Sequence, residues 1–279
     1  MGDGMAKNLI KGGKSLVVWN RTGSKADAFA KETGCEVAST PKEVVERCRL
    51  TYSMLSTPEA ASTVFNDPEE GVLAGMGKGK KLVDCATLTV ADMEDMYGEV
   101  NAKGGLFLEA PVSGSKGPAA TGQLIFLCGG DKELFDEVQG DLDLMGKASY
   151  HLGPVGKGTQ MKLVANMIMG GMLGCLAEGM CLTDAVGLRN EDLIEILGLG
   201  AMANPMFALK GPLMQKKDYT PNFPLKHAQK DMRFALALGD QVGQPLPIAA
   251  VANAEYKRAR LTHGDDDFCA VIEALRSKP

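Results

Sequence analysis

Met1-Gly2-Asp3-Gly4-Met5-Ala6-Lys7-Asn8-Leu9, followed by Val17-Val18-Trp19-Asn20-Arg21-Thr22, reads as the second half of a dinucleotide-binding βαβ turn. In such a unit a strand runs into a glycine-rich turn and the turn opens a helix. A pyrophosphate rests on the helix N-terminus, where unpaired N–H groups and the helix dipole favour an anion. Here the helical stretch begins at once, and Val17-Val18-Trp19 supplies the next short apolar strand. If Gly2 is the third glycine of the fingerprint, Asn20 and Arg21 stand 18 and 19 residues on, where an acidic side chain would bind ribose hydroxyls. No acid is there. A guanidinium, planar and always charged, suits a 2′-phosphate, so the spacing selects NADP(H), with Gly2, Asn20, Arg21 and Thr22 as candidate cofactor contacts. Gly2 alone is equally compatible with an ordinary surface helix; Arg21 at that spacing turns the reading toward a cofactor domain. The strand and the first glycines that should precede Gly2 are not in the sequence, so the first strand of the sheet is expected to be missing.

Working outward, the first half alternates helical patterns with short strands, as an α/β layer should. Leu50–Leu55 is a strand ending in Ser56-Thr57-Pro58, and Lys81–Cys85 is another ending in Ala86-Thr87. Leu106–Pro111 and Leu124–Cys128 are two more, with a Gly, Ser and Pro-rich loop between them. Ligands of open α/β sheets bind beyond the C-terminal strand ends, which puts Leu55, Ser56, Thr87 and Ser113 on the expected rim. Any one of these hydroxyls could equally serve a local turn. After Gly153-Pro154-Val155-Gly156 the texture changes to a long helical run from about Thr159 to Val186, and beyond it only helical segments follow. The expected architecture is a Rossmann-type parallel sheet domain over 1–153 and an all-α domain over 154–279 that opens with a long interdomain helix.

The chain has 279 residues, 45% of them hydrophobic, which is enough to bury two cores. A net charge of −5 and a pI near 5.4 argue against nucleic acid or an anionic membrane surface as partner. No apolar run of membrane-spanning length and no signal peptide is evident in the sequence. Seven dispersed cysteines without a C-x-x-C pair, and only three histidines, read as reduced thiols and speak against a disulfide framework or a metal site. This points to the cytoplasm, with an organelle left open by the truncated start.

On the long helix Lys162 and Asn166 are four apart and share a face. Flanked by Met161, Leu163 and Val164, the lysine either snorkels to water or sits desolvated, where its pKa falls toward the working pH and it can exchange protons.

Together, Trp19-Asn20-Arg21-Thr22, Glu109-Ala110-Pro111-Val112-Ser113-Gly114-Ser115, Lys162-Leu163-Val164-Ala165-Asn166, and Phe223-Pro224-Leu225-Lys226-His227 leading to Lys230-Asp231 resemble the β-hydroxyacid dehydrogenase family. Within it, Gly200–Phe207 and Lys226-His227 are similar to the glyoxylate and succinic semialdehyde reductases, and the resemblance runs from Met1 to about Leu275. It implies NADPH-dependent reduction of a small aldehyde acid, with Lys162 as proton donor and Asn166 orienting it or the substrate. Ser113 and Gly114 would hold the substrate carboxylate, and Thr87, Ser56 and Leu55 would lie along the cofactor. Phe223 and Lys230 would approach the cofactor from the α domain, with Asp231 behind the substrate contacts. The other readings are 3-hydroxyisobutyrate or tartronate semialdehyde chemistry, and a non-catalytic paralogue acting through oligomerisation; retention of Lys162 favours an enzyme. The Gly and Met-rich helix suggests a homodimer or homotetramer.

Overall fold

The computed structural model describes residues 1–276. The chain divides into two compact units, Met1–Lys162 and the remainder from Leu163 on.

In the first unit the order is α1 (Gly2–Lys11), β1 (Val17–Val18), α2 (Gly23–Thr33), β2 (Glu36–Val37), α3 (Pro41–Arg47), β3 (Leu50–Ser53), α4 (Pro58–Asn66) and α5 (Val72–Gly75). There follow β4 (Lys81–Asp84), α6 (Val90–Ala102), β5 (Leu106–Glu109), β6 (Val112–Ser113), α7 (Lys116–Ala120), β7 (Leu124–Gly130), α8 (Lys132–Met145) and β8 (Gly146–His151). Helix starts are written in the sequence. Thr40 and Thr57 accept the N–H groups of Glu43 and Ala60 ahead of a first-turn proline, and Thr89 with Asp92 forms a capping box.

The sheet is mixed where the sequence suggested a parallel one. β3, β4 and β5 are parallel, β7 lies antiparallel to β5 and β6, and β8 is parallel to β7. Strand direction leaves no mark in a local apolar pattern, which is why the reversal at β7 was not foreseen. Three strands were also missed. β2 and β6 are two residues long and show no periodicity, and β8, Gly-Lys-Ala-Ser-Tyr-His, has the polarity of a loop. Ser113 accordingly lies in a strand paired with Ile125, not in an irregular loop. β1 and β2 form a parallel pair of their own, unpaired with β3 among the described residues. That division shows in burial: every residue of β4 is buried, while β1 and most of β3 are only partly so.

The second unit continues α9 (Lys157–Ala185), whose first residues belong to the first unit, through α10 (Asn190–Leu199), α11 (Pro205–Lys216), α12 (Leu225–Val242), α13 (Pro247–His263) and a closing 3-10 helix (Phe268–Ala274). Contrary to the sequence reading, α9 is long and apolar enough, by length and composition, to cross a membrane, with a mean hydropathy of 1.4 over its most apolar window. Nearly half of that window is buried, and Leu173, Leu176, Ala177 and Met180 join the helical core around Tyr256 and Phe268. A buried ion pair organises this core: Lys210 Nζ lies 2.7 Å from Asp267 Oδ1 and 5.0 Å from the centre of the Phe268 ring. Burial pushes the Asp267 carboxyl up, but Lys210 and the N–H groups of Asn222 and Cys269 outweigh it and hold it below the ordinary value.

Candidate active site

The C-terminal ends of β4 and β5 each carry a fully buried carboxylate, Asp84 and Glu109, paired in register. Asp84 accepts from Ser53 Oγ, at the end of β3, and from the Ala86 N–H at 3.0 Å. Burial pushes its carboxyl up to about 6 despite these bonds, and the charge of Glu109 adds to the rise. The pair of bonds fixes the turn that presents Thr87, while Leu55 packs into the core under α4 and leaves Ser56 exposed beyond β3. Ser56 and Thr87 therefore stand on the rim where the strand ends placed them.

At the edge of this unit α1 starts without a side-chain cap, and Gly2 faces Met54, whose Cβ lies 3.7 Å from where a Cβ on Gly2 would stand. The α1 N-terminus thus opens beside the end of β3. Asn20 Oδ1 accepts from Thr22 N at 2.9 Å, which bends the chain between β1 and α2, and Arg21 is exposed at that bend. The donor set along this rim, N–H groups at a helix start, a guanidinium and two hydroxyls, has the chemistry a dinucleotide phosphate ester needs.

Ser113 closes β6, and Gly114 follows with φ +133°, in the region that favours glycine. A side chain there would also meet Leu124 Cδ2 at 2.8 Å and Pro118 Cβ at 3.1 Å. Gly114 itself is exposed, and Ser113 beside it is partly so.

Lys162 is buried, with 5% of its surface exposed, and does not extend into bulk water. Asn166, one turn on, donates from Nδ2 to Asp231 Oδ2 at 2.7 Å. Lys230 Nζ stands 3.2 Å from the other Asp231 oxygen and 5.3 Å from the Phe234 ring centre. In the second unit Asp231 thus holds Asn166 and Lys230 together. Phe223 stacks edge-on to Phe268 with centroids 5.5 Å apart, and its N–H donates to Asp267 at 3.3 Å. It is a half-buried member of the helical core, its ring against Phe268 and its backbone held by Asp267. Asp84, Ser53, Thr159 and Asp267 were not singled out from the sequence. The available signal was a charged residue at the inner end of an apolar strand or ahead of an apolar turn, which only a partner elsewhere in the chain can justify.

Comparison with known proteins agrees with this layout. Residues 1–153 match the family model described as the NAD binding domain of 6-phosphogluconate dehydrogenase. Residues 156–275 match the one described as the NAD-binding of NADP-dependent 3-hydroxyisobutyrate dehydrogenase. Glyoxylate/succinic semialdehyde reductase 1 of Arabidopsis thaliana is 50% identical over 277 residues, covering 99% of this chain and 95% of the relative. The same plant's glyoxylate/succinic semialdehyde reductase 2, chloroplastic, is 50% identical over 279 residues, covering 99% and 77%. Among solved structures, the 3-hydroxyisobutyrate dehydrogenase of Mycobacterium tuberculosis with L-serine superposes with a TM-score of 0.88 at 26% identity, covering 99% and 96%.

Proposed function

The chain belongs to the β-hydroxyacid dehydrogenase family, and from that premise we propose that it is an NADPH-dependent reductase of small aldehyde acids, taking glyoxylate to glycolate and succinic semialdehyde to 4-hydroxybutyrate. Half of all positions shared, over 99% of this chain, with two reductases of that name is the observation that carries the reading, and it favours these substrates over 3-hydroxyisobutyrate and tartronate semialdehyde.

The nicotinamide supplies the hydride when bound. We assign Gly2, Asn20, Arg21, Thr22, Leu55, Ser56 and Thr87 to its binding, together with Phe223 and Lys230 of the helical unit; Arg21 takes the 2′-phosphate. In this reading 1–153 is the cofactor domain and 154–279 the helical one. Lys162 gives its proton to the carbonyl oxygen of the substrate and, in alcohol oxidation, takes one back in its neutral form. Burial supports that role, because it keeps bulk water away from the proton Lys162 transfers. Asn166, its amide plane fixed by Asp231, orients the reacting groups, and Ser113 with the Gly114 N–H holds the substrate carboxylate.

The exposed side of α9 carries Met161, Val164, Ile168 and Leu182. The three- and four-residue spacing of Met161, Val164 and Ile168, with Leu182 14 residues further on, supports self-association as a homodimer or homotetramer. All seven cysteines are free thiols, which suits a reducing compartment such as the cytoplasm or a plastid stroma.

The test is loss of NADPH absorbance on mixing the purified chain with glyoxylate, succinic semialdehyde, tartronate semialdehyde or methylmalonate semialdehyde, the aldehyde that corresponds to 3-hydroxyisobutyrate. Preferred turnover of glyoxylate or succinic semialdehyde supports the assignment, and preference for either of the other two, or turnover of none, overturns it.

A further inference from the structure

We propose that Glu109 is a positioning residue for Lys162: its carboxylate seats the first turn of α9 on the end of β5 and so sets where the lysine one turn further along presents its ammonium. The proposal rests on the reading of Lys162 as the proton donor.

A helix begins with four N–H groups that have no partner within it, and these are usually met by a Ser, Thr, Asp or Asn at the cap. Ahead of α9 stand Gly153-Pro154-Val155-Gly156, none of which has a side chain able to accept a hydrogen bond. The acceptor comes from far along the chain instead. Glu109 Oε1 accepts from Gly158 N at 2.8 Å, and Oε2 accepts from Thr159 N at 3.3 Å and from Thr159 Oγ1 at 2.6 Å. The Gly156 N–H adds to the set. Both oxygens receive donors, the pattern of an ionised carboxylate, and Glu109 is fully buried. Burial pushes its carboxyl above the ordinary value, and the bonds from Thr159 and Gly158 oppose the rise. Asp84 on β4 and the Cys128 thiol on β7 are the other titratable groups turned toward it.

The surrounding backbone is shaped for this contact. A side chain on Gly129 would collide with Glu109 Oε1 and stand 2.7 Å from the Pro154 carbonyl, and one on Gly158 would collide with the Leu127 carbonyl. Two glycines thus let the end of β7 and the start of α9 close around one carboxylate.

Helical geometry carries the effect to Lys162. Gly158 and Thr159 lie four and three residues before Lys162, so both capped amides sit under it on the same helical face. β5 pairs with β4 on one side and β7 on the other, which makes it a fixed base. Loosening this seat moves the ammonium, and a displacement of about 1 Å at a reacting group costs on the order of 100-fold in rate. The charge acts as well: an ionised carboxylate seated under the same helical face favours the charged form of an ammonium above it.

Reach and charge separate in two substitutions. Glu109→Gln keeps the length and loses the charge; Glu109→Asp keeps the charge and loses the reach. Full-length Glu109→Gln, Glu109→Asp, Lys162→Ala and the Glu109→Gln/Lys162→Ala double variant are to be assayed with NADPH and glyoxylate across the pH range, beside fluorescence titration with NADPH. Both single Glu109 variants should lose about 10-fold or more in kcat with NADPH affinity within about twofold of the parent. The basic limb of the reduction profile should move to lower pH in Glu109→Gln and stay in place in Glu109→Asp. In the Lys162→Ala background Glu109→Gln should change the residual rate less than about twofold, because the residue it acts through is gone. An unmoved limb in Glu109→Gln, or its full loss repeated in the Lys162→Ala background, overturns the positioning role. Should Glu109→Gln not fold, a kcat for Glu109→Asp within about twofold of the parent overturns it on its own. Near-parental activity in Lys162→Ala alone overturns the proton-donor reading first, and the two failures are told apart by which arm reports them.

Discussion

Asp84→Asn removes a charge from a fully buried site while leaving its shape and hydrogen bonds available. The amide oxygen can still accept from the Ala86 N–H, and the amide nitrogen can donate to Ser53 Oγ in place of the bond that now runs the other way. The native carboxyl titrates at about 6 against an ordinary value of 3.8. At about 1.4 kcal/mol per pH unit this difference amounts to about 3 kcal/mol. The sign follows from proton uptake. Below about pH 4 folded and unfolded Asp84 are both protonated and the site costs nothing. Between about pH 4 and 6 the native state keeps a proton that the unfolded chain has released, so stability falls as pH rises, and above about pH 6 the whole penalty is present. Asparagine does not titrate, so the variant should equal the parent near pH 4 and exceed it by about 3 kcal/mol at neutral pH. Urea titrations read by deuterium uptake in the peptide that carries β4 isolate the first unit from the helical one. A difference between variant and parent that is independent of pH, or a less stable variant at neutral pH, would refute the reasoning.

Lys162→Ala should lower kcat by about 10²- to 10⁴-fold, the usual worth of a general acid, with NADPH affinity within about twofold by fluorescence titration; a loss of only a few-fold contradicts the assignment. Arg21→Ala should raise the KM for NADPH by about 10- to 100-fold, the scale of one charge-assisted phosphate contact, and leave the KM for NADH within about twofold. Equal effects on both cofactors would remove Arg21 from the 2′-phosphate. Ile168→Glu puts a charge in the exposed apolar row of α9 and should reduce the mass measured by light scattering to that of a monomer, 29.5 kDa, with an unchanged circular dichroism spectrum. An unchanged mass above that of the monomer places the interface elsewhere.

Much of the architecture was legible because its signals are local. β3, β4, β5 and β7 are runs of four or more mostly apolar residues bounded by turn formers, and α9 is apolar over too many residues to be a strand. Arg21 was singled out because a fingerprint points to it by count. Other features depend on the rest of the chain. Whether Lys162 reaches water is decided by what covers α9, which no spacing on the helix reveals. Glu109 at the end of an apolar strand looks like an ordinary polar terminus, since the groups it holds lie 49 and 50 residues away. Asp84 is hidden for the same reason, its partner Ser53 coming from the neighbouring strand.

The division of the sheet between β1 and β3 has a bearing on ligand affinity. Among the described residues no ladder of backbone bonds joins the two sheets, so β1, α2 and β2 are held to the rest of the first unit by contacts such as those of α1, whose Met5 and Leu9 enter the core, and by side-chain bonds such as that from Arg47 to Glu36. This segment therefore opens at a lower free energy than the fully buried β4. Arg21 rides on it. If, as proposed, Arg21 takes the 2′-phosphate, part of the binding energy goes into keeping this segment packed, and substitutions that tighten it far from the nucleotide should raise affinity as new contacts would.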